Sequence, residues 1–191
     1  LSRFPKFQNM RFEQLQAILQ KQFPEAHATI DEAERVLLAS DAVAKARILL
    51  ERGRVYHQAG DLERAKRFYE SSYRWSQEQE LDEHTCNAAH MLAIVVQANS
   101  EKIQWNELAI QLAKESTSVK AKAWLGSLCN NLGVAYFEAK RYEKALILFR
   151  ESLEHRQREG VVLNIYMAKW QIGRTLRLLG HYEEAFSTLL E

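Results

Sequence analysis

Leu132-Gly133-Val134-Ala135-Tyr136, followed by Tyr142-Glu143-Lys144-Ala145 and Phe149, is the stretch that decides how this chain is read. A glycine is trailed by an aromatic residue three places on, an alanine twelve on and a large side chain sixteen on. The same order starts at Gly53 with Tyr56, Ala65 and Tyr69, and at Gly173 with Leu176, Ala185 and Leu189. Between these marks a turn falls in register at Gly60, Lys140 and Gly180, followed by Leu62, Tyr142 and Tyr182. A fixed period near 40 residues is the signature of stacked repeats, each too small to bury its apolar side alone. The glycines and alanines are small where two helices cross closely, and the aromatic residues fill the space beside them.

The bulk composition agrees with that reading. The 191 residues are 47% hydrophobic and 27% charged, an ordinary globular balance. Two prolines and seven glycines leave little room for strands joined by tight turns. A net charge of +1 argues against a nucleic-acid partner held by bulk electrostatics. No apolar run has the length that spans a bilayer, so no membrane partner is expected. The start lacks an initiator Met and a signal-peptide core, and the end stops inside a helical pattern. The chain therefore reads as a fragment of something longer. Cys86 and Cys129 sit alone in helical stretches, which suits buried residues in a reducing cytoplasm better than a disulfide framework.

Apolar residues recur at three- and four-residue spacing almost throughout, which predicts helix everywhere. Break signals at Phe23-Pro24, Ser40-Asp41, Gly60-Asp61, Leu81-Asp82, Asn99-Ser100, Ser116 to Ser118, Lys140-Arg141, Gly160 and Gly180 divide it into about ten helices. Asp41 and Asp61 are placed as N-caps, and Pro24 as a first-turn residue. The helices group in pairs over 1–39, 40–80, 81–120, 121–160 and 161–191, within a single domain over 1–191 whose last unit is truncated. Two units depart from the pattern. In the third, Ala93 replaces the glycine and Trp105 stands where an alanine is due; a shift of three sets Trp105-Asn106-Glu107-Leu108 parallel to Tyr142-Glu143-Lys144-Ala145, so the turn near Asn99 to Gln104 is expected to be displaced and the first helix of that unit extended. In the first, Gln14 occupies the glycine place, which suggests a degenerate unit capping the stack.

The motif residues Leu132 to Tyr136, Tyr142 to Ala145, Phe149 and Ser152 resemble the tetratricopeptide repeat family. Gly53 to Ser72 and Gly173 to Leu189 repeat the match. The family's commonest unit is about 34 residues, and the longer units here are similar to those of kinesin light chains and bacterial peptide-sensing regulators. The resemblance implies an all-α, right-handed superhelical solenoid of about five antiparallel helix pairs. It also implies that the first helix of each pair lines a concave groove.

Few residues suggest chemistry. Phosphate-binding glycine runs and paired Cys-x-x-Cys or His-Glu-x-x-His motifs are missing from the sequence. His84, Cys86 and His90 form the nearest approach to a metal cluster, but a third good ligand is not evident beside Cys86 and His90. We read them as ordinary helix residues. The expectation is a non-enzyme with no catalytic residue, no metal and no cofactor.

Residues six and three before, and one and four after, each repeat position share a helix face. In the resembling fold that face points into the groove. It comprises Arg47, Leu50, Arg54 and His57, then Asn87, His90, Ile94 and Gln97. Ser127, Asn130, Val134 and Phe137 follow, and last Met167, Trp170, Arg174 and Arg177. Asn131 lies one residue further round, at a place where the family often holds an asparagine that grips a peptide main chain. Arginine forks suit carboxylates, amides suit an extended backbone, and Phe137 and Trp170 offer apolar anchors. The expected function is a protein- or peptide-binding scaffold, with an acidic ligand favoured. The alternative is the peptide- or small-molecule-sensing part of a bacterial transcription or signalling regulator. Self-association of the stack is a third expectation, and direct nucleic-acid binding by the outer helices a weak one.

Overall fold

The computed structural model describes residues 23–36 and 41–190. Among these residues every regular element is a helix: α1 (Phe23–Val36), α2 (Ala42–Gln58), α3 (Leu62–Glu78), α4 (Asp82–Val95), α5 (Asn99–Glu115), α6 (Val119–Lys122), α7 (Leu125–Glu138), α8 (Tyr142–Glu159), α9 (Val162–Leu178) and α10 (Tyr182–Leu190). None is long and apolar enough to cross a membrane. Neighbouring helices pack in adjacent pairs, and the described chain divides into two compact units, one ending at Val95 and the other beginning at Val96. The first repeat's Gln14 lies outside the described residues.

The helix ends follow from local chemistry. Asp41 accepts a hydrogen bond from the Ala44 N–H at 2.9 Å, and Asp61 one from the Arg64 N–H at 3.0 Å, so both cap as expected. Pro24 stands in the first turn of α1. At the hairpin tips Gly60, Lys140 and Gly180 take positive φ, as do Glu80 and Gly160 between pairs. That left-handed residue lets the next N–H reach back to a carbonyl five positions earlier: Asp61 to Tyr56, Leu81 to Ser76, Arg141 to Tyr136 and His181 to Leu176, all within 2.8–2.9 Å.

The repeat residues meet where their spacing requires. A methyl group on Gly133 would come within 2.6 Å of the Phe149 ring, one on Gly173 within 2.8 Å of Leu189, and one on Gly53 would overlap Tyr69. Only a bare backbone allows that approach. A second tie repeats 80 residues apart and joins the two helices of a hairpin: Ser72 Oγ donates to the Ala46 carbonyl at 3.0 Å, and Ser152 Oγ to that of Gly126 at 2.6 Å. In α3, Trp75 Nε1 donates to the Ala42 carbonyl at 3.0 Å and Lys45 lies over the ring.

The third repeat corrects the sequence reading. The first helix is not extended: α4 has 14 residues against 17 in α2, and α5 starts at Asn99 instead of beyond it. Asn99 explains the early start, since its side-chain amide donates to the Ala135 carbonyl at 3.1 Å and fixes the head of α5 against α7. Trp105 consequently lies within α5, not at its start. The fourth repeat holds a second irregularity, in which Ala123 and Trp124 interrupt what would have been one helix, leaving α6 and α7.

Candidate functional site

In the first unit, α2 and α4 bring together three of the expected residues. Arg54 sits half-buried between Glu51, at 2.5 Å, and Asn87 Oδ1, at 3.3 Å. The Glu51 pair follows from i, i+3 spacing on one helix, whereas the Asn87 bond crosses to α4. His90 lies close enough to Arg54 to feel its charge. Burial first, and then the guanidinium, pushes its imidazole down to about 4, so it is neutral at physiological pH. Burial likewise lowers His57. Arg47 is exposed on the same helix. The outcome is a polar cluster whose inward cation, Arg54, already has a carboxylate.

In the second unit, α7 and α9 build a different surface. Asn130 is buried and donates through Nδ2 to Asn131 Oδ1 at 3.2 Å, while its own Oδ1 has no protein partner. The Arg174 guanidinium lies 3.9 Å from the centre of the Phe137 ring and 4.7 Å from that of Trp170. Two aromatic faces therefore hold the cation in place, an arrangement favoured by ring quadrupoles and strengthened by partial desolvation. Burial lowers the Arg174 pKa, with Glu138 acting in the opposite direction. Nε of Arg174 is buried without a hydrogen-bond partner. Arg177 is exposed beside it, and a cavity of about 460 Å³ opens against Phe137, Trp170, Arg174, Arg177, Tyr182 and Phe186.

The expected strip thus falls into two sets. Arg54, Asn87 and His90 meet in the first unit, and Phe137, Trp170 and Arg174 in the second. Gln97 does not share the α4 face, because α4 ends at Val95. Sequence reasoning missed the α10 wall of the cavity, which Tyr182 and Phe186 form. It also missed Glu107, which accepts from the Tyr136 hydroxyl at 2.6 Å.

Neither thiol is poised for chemistry. Burial pushes Cys86 up to about 11 and Cys129 up to about 12, the latter reinforced by Glu151, which pairs with Lys114 at 2.8 Å. Both therefore stay protonated at neutral pH. Among the described residues no three His, Cys, Asp or Glu side chains stand together as a metal site would need.

Tetratricopeptide repeat models match residues 46–79 and 123–191, together just over half of the chain. They cover the repeats built on Gly53, Gly133 and Gly173 and leave the irregular third one unmatched. The chain belongs to the tetratricopeptide repeat family, whose fold serves as a protein-interaction scaffold. Among solved structures it is similar to BtubC (BKLC) from P. vanneervenii, at 18% identity over 96% of this chain and 76% of that one, with a TM-score of 0.81. A putative kinesin light chain with nearly identical repeats from Podospora anserina aligns at 15% identity, over 99% and 94% of the two chains, with a TM-score of 0.70. A signal transduction ATPase with numerous domains and a tetratricopeptide repeat sensor, from Pyrococcus horikoshii, aligns at 16% identity over 96% of this chain and 28% of that one, with a TM-score of 0.75. At such identities the likeness is one of fold. No curated protein sequence matches the chain.

Proposed function

We propose that this domain is a non-catalytic scaffold that binds a protein or peptide segment through the first helices of its repeats. The carrying observation is Arg174, held between Phe137 and Trp170 with an unpartnered Nε and a cavity beside it. A cation positioned by aromatic rings is preorganised, so a ligand carboxylate gains a charge-assisted hydrogen bond without ordering a free side chain. Asn131 is the residue to grip main chain in this reading. Arg54 contributes less to anion binding, since Glu51 already neutralises it. An acidic ligand is therefore expected to engage the second unit first.

The test is retention of partners from source lysate by the wild-type domain beside Arg54→Ala, Asn131→Ala and Arg174→Ala variants of equal helicity. A partner lost on Arg174→Ala and largely kept on Arg54→Ala is the expected result. Equal retention by all three overturns the reading. The likeness to the Pyrococcus horikoshii sensor keeps a second reading in view, in which a small ligand occupies the same place. Retention of no protein, together with a small molecule that raises the melting temperature of wild type but not of Arg174→Ala, would favour it.

A further inference from the structure

Away from the strip, α5 and α8 both pack on α7, and a cleft of about 370 Å³ opens between them. All three helices are interior to the described chain. The floor of the cleft is apolar, with Ile110 and Leu132 buried and Leu148 half-buried beside them. Next to Leu148, and one turn before Glu151 on α8, Ile147 is 65% exposed. The regular repeats place Arg67 and Ser187 at the same point, both exposed and polar. A single exposed isoleucine is ordinary, but one standing beside an apolar cleft extends it into a patch.

Charge then specifies the occupant, because the rim is sided. Glu107, Gln111 and Glu115 follow at four-residue steps along α5, so they form one stripe on its edge. Glu107 accepts from the Tyr136 hydroxyl and Glu115 from the Gln111 amide at 2.9 Å, and both donors are neutral. Lys114, the cation of the lining, is taken by Glu151. On the α8 side Arg141 and Lys144 lie over the Tyr136 ring. The α5 edge is therefore the acidic one. Its two carboxylates, eight residues apart, are separated by about 12 Å along the axis, or two turns. Side chains of a second helix return to one edge at that same interval. We propose that the cleft receives a basic amphipathic helix of a partner protein. Its leucine or isoleucine side chains seat on Ile110, Leu132 and Ile147, and its Lys or Arg side chains, two turns apart, pair with Glu107 and Glu115. This surface shares no residue with the peptide strip.

The probe is a set of three helix-stabilised, fluorescein-labelled peptides with one leucine face in common. Along the edge of that face they carry lysine, glutamine or glutamate two turns apart. Binding to the whole domain is followed by fluorescence anisotropy. The lysine peptide should bind about tenfold more tightly than the glutamate peptide, with the glutamine peptide between them. Glu115→Lys should bring the lysine and glutamate peptides to about equal affinity. Ile147→Ser, a change at an exposed side chain checked for intact melting, should weaken all three about fivefold. Glu63→Gln, which removes an exposed carboxylate of α3, should change nothing. Equal affinity of the three peptides, indifference to Ile147→Ser, the same loss on Glu63→Gln, or no binding overturns the proposal. Strip-dependent partner retention should survive Ile147→Ser, and its loss would overturn the separate surface. Sedimentation of the protein alone supplies the remaining outcome. A dimer that Ile147→Ser dissolves would assign the cleft to a second copy and overturn the partner helix, and a monomer agrees with it.

Discussion

Between α7 and α8, Lys140 turns left-handed and the chain reverses within three residues. Between α4 and α5, residues 96–98 make the connection without any such residue, and α5 begins with Ala98 in an extended N-cap conformation that lacks a side-chain cap. The two connections are separated by a loss of phase. Left-handed residues fall at 60 and 80, then again at 140, 160 and 180. The positions at which 100 and 120 would continue the beat, Ser100 and Lys120, are helical instead. The regular hairpin is defined by what its glycine and its tip permit, and the irregular segment by where Asn99 anchors a helix.

The interiors of the second helices differ to match. The fourth, eighth and eleventh residues of α3 are Ala65, Tyr69 and Ser72, and those of α8 are Ala145, Phe149 and Ser152. In α5 the same places hold Lys102, Asn106 and Ala109. Asn106 is buried, donates to the Lys102 carbonyl at 2.8 Å and leaves Oδ1 without a partner. Close crossing against a glycine is thus a property of the regular hairpins and is not imposed on α5.

The contrast is broken most severely at Gly133. Gly133→Val should cost about 3 kcal/mol in urea unfolding, because the added carbons run into the buried Phe149 ring. Ala93→Gly, at the corresponding place in α4, should also destabilise, by about 1 kcal/mol through helix propensity alone. A tolerated Gly133→Val would remove the close-crossing account. Next in size, Ser152→Ala should cost about 1.5 kcal/mol by deleting the buried bond to the Gly126 carbonyl. Ala109→Ser, in α5, should bring no gain. A stabilised Ala109→Ser protein would show that the two helices are more alike than their packing indicates.

The irregular segment should respond in the opposite direction to capping. Ala98→Ser places a hydroxyl three residues before Glu101, completing a capping box on a residue already in the N-cap conformation, and should raise stability by about 1 kcal/mol. Thermal melting beside Asp61→Ala, which should lose a similar amount, measures both signs in one experiment. Smallest is Lys140→Gly. Relief of a left-handed lysine at φ 58 should outweigh the added chain entropy by about 0.5 kcal/mol. A loss there would mean that the Lys140 side chain contributes more than its backbone strain costs.

The regular repeats were legible because each of their contacts is written twice, as a small residue and as the large one it admits. Gly133 with Phe149 and Gly53 with Tyr69 are such pairs. The third repeat was not, because Trp105-Asn106-Glu107-Leu108 mimics Tyr142-Glu143-Lys144-Ala145 while a single half-buried amide, that of Asn99, sets the true register. The site was readable to the same degree. The faces of α2, α7 and α9 follow from helical spacing, and Glu51 lies a visible three residues from Arg54. The grip of Phe137 and Trp170 on Arg174 depends on how α7 and α9 meet, which no spacing within one helix records. The exposed flank of α10 was hidden for a similar reason, since Phe186 occupies the place of the buried Leu146.

Because each described helix packs chiefly on its immediate neighbours, the described residues fold without bringing remote segments together. A hairpin such as α7 and α8 closes a loop of three residues, so its search is short and its barrier is set by local helix growth. The Ser152 tie to Gly126 and the Gly133 crossing then lock a hairpin as a finished part before any neighbour is needed. Assembly of this protein is accordingly a matter of adding parts to either side of a nucleus, and a hydrogen-exchange experiment should find α7 and α8 among the last helices to open.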